Sequence, residues 1–399
     1  MKKRQISILF SVVFMDMIGF GFIIPIMPDI IKFFGSSQDM LGIVLGVYAL
    51  GQFVAAPLVG ALSDRYGRKP LLLLSIGGTF LSLLLLGAAQ SMVLVIASRF
   101  LDGITGGNIT VAQSYIADST DEEDRSKGFG LIGMAFGLGF ILGPLFGGLL
   151  MSISIHAPAF VAAGIAAVNL IIISVVLPES HPAEKRNRSR KFKIIDIKAF
   201  RQVFSHDASR KFLTIILFYT MAFNMFETMF SSHGMLAIGL SPKARGLILA
   251  YMGVLIAAMQ GGLIGKLTSR FKEITLLNIS NLLLILSLAG WAFVSTTIEL
   301  MLIIIPLSFA AALQSVLQKS LLSKSVKGDN QGMVLGVSTS LESFTRVVAP
   351  IMGGYLLSRI GLWAPGVVSA AILIVPLVIV TAERIGSSDK GKDSGLNNI

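Results

Sequence analysis

Six ionisable side chains stand inside long apolar runs of this chain: Asp16, Arg99, Asp102, Glu227, Glu342 and Arg346. A charge at the centre of a membrane-spanning helix costs about 2.5–3.5 kcal/mol on insertion scales, so each needs a reason to be there. Spacing supplies one for two pairs. Arg99 and Asp102 are three residues apart and Glu342 and Arg346 four, which puts each pair on one helix face where opposite charges neutralise each other. For Glu342 and Arg346 that internal pairing is the expected arrangement. Asp16 and Glu227 have no opposite charge one turn away. Each must find a partner on another helix, bind a proton or bind a substrate. Burial disfavours the charged form of a carboxylate, so both are candidates for proton uptake, Glu227 foremost. The competing account of Asp16 is a hydrogen bond that packs helices together.

A second constellation is the stretch GALSDRYGRKP at Gly60 to Pro70, where Asp64, Arg65, Arg68 and Lys69 crowd between two apolar runs. Gly60 suits close packing at a helix end, Gly67 permits a tight reversal, and Arg68 and Lys69 hold the turn on the cytoplasmic side. Topology does not explain Asp64, which can pair with neighbouring cations or sit against a helix N-terminus. Other chemistry is excluded. The chain has no cysteine, which removes disulfides, thiol catalysis and cysteine metal sites. It has no G-x-x-x-x-G-K-[ST], so a P-loop ATPase is not encoded.

The elements that must position these residues are membrane spans. The 399 residues are 54% hydrophobic and only 14% charged, and mean hydropathy is +0.79. Twelve apolar runs of spanning length begin near Ile6, Leu41, Leu71, Met92, Gly128, Ala157, Phe212, Gly246, Ile274, Leu300, Gly332 and Leu362. The first, Ile6 to Ile31, is too long for the apolar core of a cleaved signal and lacks a small-residue cleavage site. The net charge of +11 invites a nucleic-acid reading, but the basic residues lie in loops between spans instead of on one soluble face. With a cytoplasmic N-terminus, Lys32, Lys243, Arg245 and Arg359 fall on outer segments and Arg99 and Arg346 within spans. Every other Lys and Arg lies inside, which fixes both termini in the cytoplasm.

Between Glu179 and Lys211 the apolar pattern stops, dividing six spans from six. Gly60, Leu62 and Arg65 align with Gly265, Leu267 and Arg270; GPLFGG at Gly143 to Gly148 aligns with APIMGG at Ala349 to Gly354, and Gly130 with Gly336. Nearly equal offsets argue for a duplicated six-helix unit. The expected domains are an N-terminal bundle over 1–178, a basic linker over 179–211, a C-terminal bundle over 212–383 and a tail over 384–399. The fold class is all-α integral membrane, twelve helices in two pseudo-symmetric six-helix bundles. Such bundles rock about a site near the membrane midplane. The linker's basic stretch reads as a tether on anionic headgroups and the tail from Gly386 as disordered.

The pattern G-x-L-x-D-R-x-G-R-K at Gly60 to Lys69 resembles the loop 2-3 signature of the major facilitator superfamily. RFLDG at Arg99 to Gly103 is similar to the family's helix-four arginine element. Gly130, Gly139, Gly143, Pro144, Gly147 and Gly148 follow G-x8-G-x3-G-P-x2-G-G, which resembles the helix-five antiporter signature of drug:proton exporters. MDMIGFGFIIPIMPDI and YIADSTDEEDR look like segments of twelve-helix tetracycline and multidrug exporters, and MFET at Met225 to Thr228 resembles helix seven of Gram-positive multidrug pumps.

The resemblance implies that helices one, four, seven and ten line a cavity where Asp16, Arg99, Asp102 and Glu227 converge, and that Asp64 latches the halves on the cytoplasmic side. It further implies a multi-pass protein of the plasma (inner) membrane that is no enzyme, needs no cofactor or metal, and acts as a monomer on small molecules and protons. The expected activity is proton-driven export of lipophilic drugs. A proton symporter importing a nutrient is the alternative on the same scaffold. A non-transporting sensor would carry a soluble domain that the loops are too short to hold.

Overall fold

The computed structural model describes residues 2–119, 122–182, 184, 186, 197–326 and 331–382. The linker's Lys185 and the run 187–196, and the tail from 383, lie outside the described residues, as do Thr120 and Asp121 of the YIADSTDEEDR stretch. Among the described residues no strand is present.

The first span is α1 (Lys2–Ile23) and α2 (Met27–Phe33), which meet at a 43° bend. Pro25 lies in the break, where its ring and missing N–H end a helix, and Pro28 then sits at the start of α2, where that missing N–H is harmless. Next come α3 (Asp39–Tyr66) and α4 (Arg68–Gly87). The fourth span is α5 (Met92–Thr105) and α6 (Asn108–Ser119), parted at Gly106 and Gly107. Two further spans, α7 (Glu122–Leu150) and α8 (Ala157–Val176), follow. After the linker, α9 (Ile197–Phe204) precedes α10 (Asp207–Ala237), α11 (Pro242–Gly262) with its short extension α12 (Ile264–Arg270), α13 (Glu273–Trp291) and α14 (Thr297–Lys324). The chain closes with α15 (Gln331–Arg359) and α16 (Ala364–Ile372), the latter opening a span that reaches Ala382. Ten of these spans are long and apolar enough to cross a membrane, and the bent first pair makes an eleventh. The run expected from Gly332 is helical over the 29 residues of α15, but Ser338 to Ser340, Glu342, Ser343, Thr345 and Arg346 keep it too polar to qualify on composition.

Large apolar side chains such as Leu74, Leu81, Ile171, Val175, Leu302 and Val378 are exposed along the spans. In water such a surface would drive association; in a bilayer it is the lipid face. The chain is a multi-pass membrane protein.

Contacts gather into two compact units, Met1–Ile195 with Ser231–Gly253, and Asp196–Phe230 with Val254–Ile399. The end of α10 and the first half of α11 thus cluster with the first six spans. In the first unit α1 packs on α7 and α8, α3 on α5, and α4 on α5 and α8. Gly51 and Gly103 let the backbones of α3 and α5 meet, since a Cβ on Gly51 would come within 2.8 Å of the Ile104 nitrogen. In the second unit Leu276, Leu277, Leu313 and Leu317 form one core between α13 and α14. Leu213, Ile216, Leu322, Val334 and Val337 form another, joining α10, α14 and α15. Helix α14 starts on a capping box: the Glu299 nitrogen donates to Thr296 Oγ1 at 3.2 Å and the Glu299 carboxylate accepts from the Thr296 nitrogen at 3.2 Å.

Candidate functional site

Three of the four predicted site residues come together in the first unit. Asp16 (α1), Arg99 and Asp102 (α5) line one cavity with Phe20, Tyr48, Gln52, Thr79 and Asn108. Arg99 is 3% exposed and donates from Nη1 to the Asp102 carboxylate at 3.1 Å, the i,i+3 pairing that the spacing predicts. Thr79 and Ser82 of α4 stand beside the Asp102 carboxylate, which therefore has polar neighbours on two helices. Asp16 is half-buried, feels the charge of Asp102 and has the side chain of Asn108 beside it in the cavity. Asn108 is fixed in turn, because its own oxygen accepts from the Ile109 nitrogen at 2.9 Å. The break at Gly106 and Gly107 thus brings the first residue of α6 to α1.

The charged turn is built differently from its reading as a surface anchor. Gly67 has φ +107°, a conformation that L side chains rarely adopt, and it ends α3 and opens α4. Arg68 is buried, bonded through Nη1 to Asp64 at 2.6 Å and through Nε to Asp118 at 2.8 Å, with Ser63 Oγ accepting at 2.5 Å. It therefore knits α3, α4 and α6 together and is not free to meet headgroups. Arg65 lies 5.3 Å from the Tyr66 ring centroid, and Lys69 donates to the Ser174 carbonyl at 2.8 Å. Sequence reasoning missed Glu179, taken only as the start of the linker. Its carboxylate accepts from the backbone nitrogens of Arg68 at 2.8 Å and Lys69 at 3.2 Å, so it caps α4 from over a hundred residues away. Gly60 has only the Thr110 methyl against it.

The helix-five motif has two faces. A Cβ on Gly139, Gly143 or Gly147 would overlap Met17, Gly21 or Phe22 of α1, so this face brings α7 against α1 backbone to backbone. A Cβ on Gly148 would collide with the Pro242 carbonyl, and one on Gly246 with the Pro144 carbonyl, so the other face meets α11. Helix α7 runs through Pro144, whose missing N–H frees one carbonyl without ending the helix. Gly130 has nothing within 4 Å of a built Cβ and takes no part in either contact.

Arg245, expected on an outer loop, is wholly buried in α11 and bonded to Asp29 of α2. No local pattern announces a partner so far away in sequence.

Glu227 lies in the second unit, half-buried on α10, where the charge acting on it is that of Arg346 of α15. Glu342 does not pair with Arg346 as its spacing suggests. It lies 3.7 Å from Lys319 Nζ of α14 and accepts from Ser338 at 3.3 Å. Lys319 was assigned to an inner loop; it stands within α14, its side chain 62% exposed. Asn224, Thr345 and Thr220 add a hydrogen-bonded row between α10 and α15, at 3.0 and 3.1 Å.

Charged side chains kept among apolar helices, two compact units and paired glycine faces are features of a membrane transporter, and the match to known proteins decides which kind. Residues 9–350 match the family model of the Major Facilitator Superfamily. The chain belongs to the Major Facilitator Superfamily. It is 32% identical over 366 residues to the class C tetracycline resistance protein of Escherichia coli, covering 88% of this chain and 89% of that one. It is 28% identical over 387 residues to multidrug resistance protein 2 of Bacillus subtilis (strain 168), covering 94% of each. Among solved structures, the human organic anion transporter MFSD10 (TETRAN) superposes with a TM-score of 0.69 at 24% identity, over 95% of this chain and 99% of that one. The nucleoside transporter NupG gives 0.77 at 15% identity, over 95% and 98%. These show a Major Facilitator fold, as the twelve runs and the duplicated motifs led us to expect.

Proposed function

We propose that this chain is a proton-coupled antiporter that exports lipophilic drugs or other small toxic compounds from the cytoplasm by alternating access. The observation that carries the reading is the unequal treatment of two neighbouring acids in the first-unit cavity. Asp102 is ion-paired with Arg99, while Asp16 has the Asn108 side chain near it and an open cavity beside it. A carboxyl so placed can hold a proton or a cationic substrate, but not both. Glu227, facing Arg346, is the corresponding exchangeable group of the second unit.

Exchange follows from that competition. A deprotonated Asp16 or Glu227 attracts a lipophilic cation from the cytoplasm, the bundles over 1–178 and 212–383 rock outward, and a proton from outside displaces the cargo. Only occupied forms return, which couples the two fluxes. The proton gradient supplies the energy, and no cofactor is required. The names of the relatives, tetracycline resistance and multidrug resistance, support drugs as cargo. The protein acts as a monomer in the inner (plasma) membrane with both termini in the cytoplasm. In the alternate state Asp64 leaves Arg68 and latches the bundles on the cytoplasmic side; Asp64→Asn removes transport and leaves protein level and ligand binding in place.

The test is proton release from energised everted vesicles loaded with a pH dye, with tetracycline and a panel of lipophilic cations added in turn. An exporter collapses the gradient with at least one compound. A gradient untouched by any of them, together with proton-driven nutrient accumulation in right-side-out vesicles, would replace export by symport.

A further inference from the structure

Among the described spans α8 is the most apolar, with a mean hydropathy of 2.5 over Ala157–Val176 and no charged residue. Its buried face runs through Ala159, Ala162, Ala163 and Ala166 to Asn169 and Ile173, so one amide stands in a row of small apolar side chains. A polar group at that depth needs a reason. Asn169 is 1% exposed, and its Nδ2 donates to the Val12 carbonyl of α1 at 3.0 Å. Its Oδ1 is buried without a hydrogen-bond partner among the described residues. For cohesion alone this is a poor choice, because an amide left half-bonded in an apolar site recovers little of its desolvation cost.

The acceptor it uses lies one helical turn before Asp16. In α1 the Asp16 backbone N–H reaches the Val12 carbonyl by the i to i−4 bond of an α-helix, and Asn169 adds a second donor. A carbonyl has two lone pairs, so both are taken. Helical side chains lean toward the preceding turn, and Val12, Val13 and Asp16 line one small chamber whose far wall on α4 is Leu72 and Ile76. Only Asn108 adds another polar side chain to it. Elsewhere in the spans Thr105, Thr220 and Thr228 turn back onto the carbonyl four residues earlier, at 2.8, 2.7 and 2.6 Å. We propose that Asn169 is a positioning residue for proton exchange: by filling the Val12 oxygen it denies a protonated Asp16 that acceptor on its own helix and keeps the acid turned to the cavity. The titratable and charged groups sharing that cavity are Tyr48, Arg99 and Asp102. Helix α8 carries none, α7 none from Gly130 onward, and on α4 and α6 Arg68, Asp118 and Tyr115 are engaged with one another or with Pro178 near the charged turn. The inference rests on proton uptake at Asp16, but not on the direction of transport or on any particular cargo.

The test is an infrared pH titration of the protein in lipid, without gradient or drug. The protonated-carboxyl band that vanishes in Asp16→Asn reports Asp16 itself. Asn169→Leu fills the site without a donor, so the freed Val12 oxygen should bond the protonated acid, shift its band and raise its pH midpoint by about half a unit or more, the worth of one neutral hydrogen bond. Thermal unfolding of that variant should be no lower than the parent's, since the orphaned Oδ1 goes with the amide. Asn169→Ala also lacks the donor and should move the midpoint as far, whereas Asn169→Gln keeps a donor and should restore it. A midpoint unmoved in both Leu and Ala variants, or moved in Ala alone, would overturn the positioning role, as would a parent in which no Asp16 band titrates. Neither cargo nor flux enters the readout. Drug efflux found absent beside a moved midpoint would remove the exporter reading alone, and efflux found intact beside an unmoved one would remove the role of Asn169 alone.

Discussion

In the first unit an arginine and an aspartate lie buried against each other at 3.1 Å, and the other acid of that cavity, Asp16, has the Asn108 side chain near it and open space beside it. In the second unit Glu227, Glu342, Lys319 and Arg346 are spread over α10, α14 and α15, the ion pair among these four is 3.7 Å long in the described structure, and Lys319 is largely exposed. The two units hold the same kinds of charge and differ in how tightly those charges are bound. A tight buried pair is costly to break, because removing either partner leaves an uncompensated charge. A loose set leaves charges free to change partner. On the proposed exchange, the first unit would separate a fixed pair from a single exchangeable carboxyl, and the second would distribute both duties over one looser group.

That contrast can be broken by experiment. The largest effect is expected from Asp16→Asn and Glu227→Gln, each of which should reduce gradient-driven efflux to the level of empty vesicles; if one variant alone keeps coupled efflux, the exchangeable proton belongs to the other unit. Next comes Arg99→Gln. Breaking a buried pair by removing one partner costs ~3–5 kcal/mol, so thermal unfolding in detergent should fall sharply, and adding Asp102→Asn should recover most of the loss. Removing the cap of α4 with Glu179→Ala should cost ~1 kcal/mol, read in the same melts, with the additional sign that the neighbouring Arg68 and Lys69 amides exchange faster. The smallest effect is expected from Lys319→Gln, about 1 kcal/mol or less, since exposed pairs contribute little. Should Lys319→Gln destabilise as much as Arg99→Gln, the tight and loose clusters would not differ as described.

Local spacing made part of this legible. Arg99 and Asp102 share a helix face and do pair, and Asp16, which has no opposite charge one turn away, lies in one cavity with Asn108 of α6. The apolar runs mark the spans because a bilayer demands them, and the helix-five glycines mark close contacts because only glycine lets backbones approach. The same rule failed at Glu342. A spacing of four says which side chains can meet, not which cation lies nearer, and Lys319 arrives from a neighbouring helix mistaken for a loop. Asp29 with Arg245, and Glu179 with the turn at Arg68, are long-range contacts that no window along the chain contains.

The central claim is that bound cargo and a proton exclude each other at Asp16 and Glu227. Purified protein in weakly buffered detergent, titrated with a compound that passes the vesicle test, measures this directly through the protons released on binding. The account predicts release by the unmodified protein and none by Asp16→Asn with Glu227→Gln. The same release from both would contradict it.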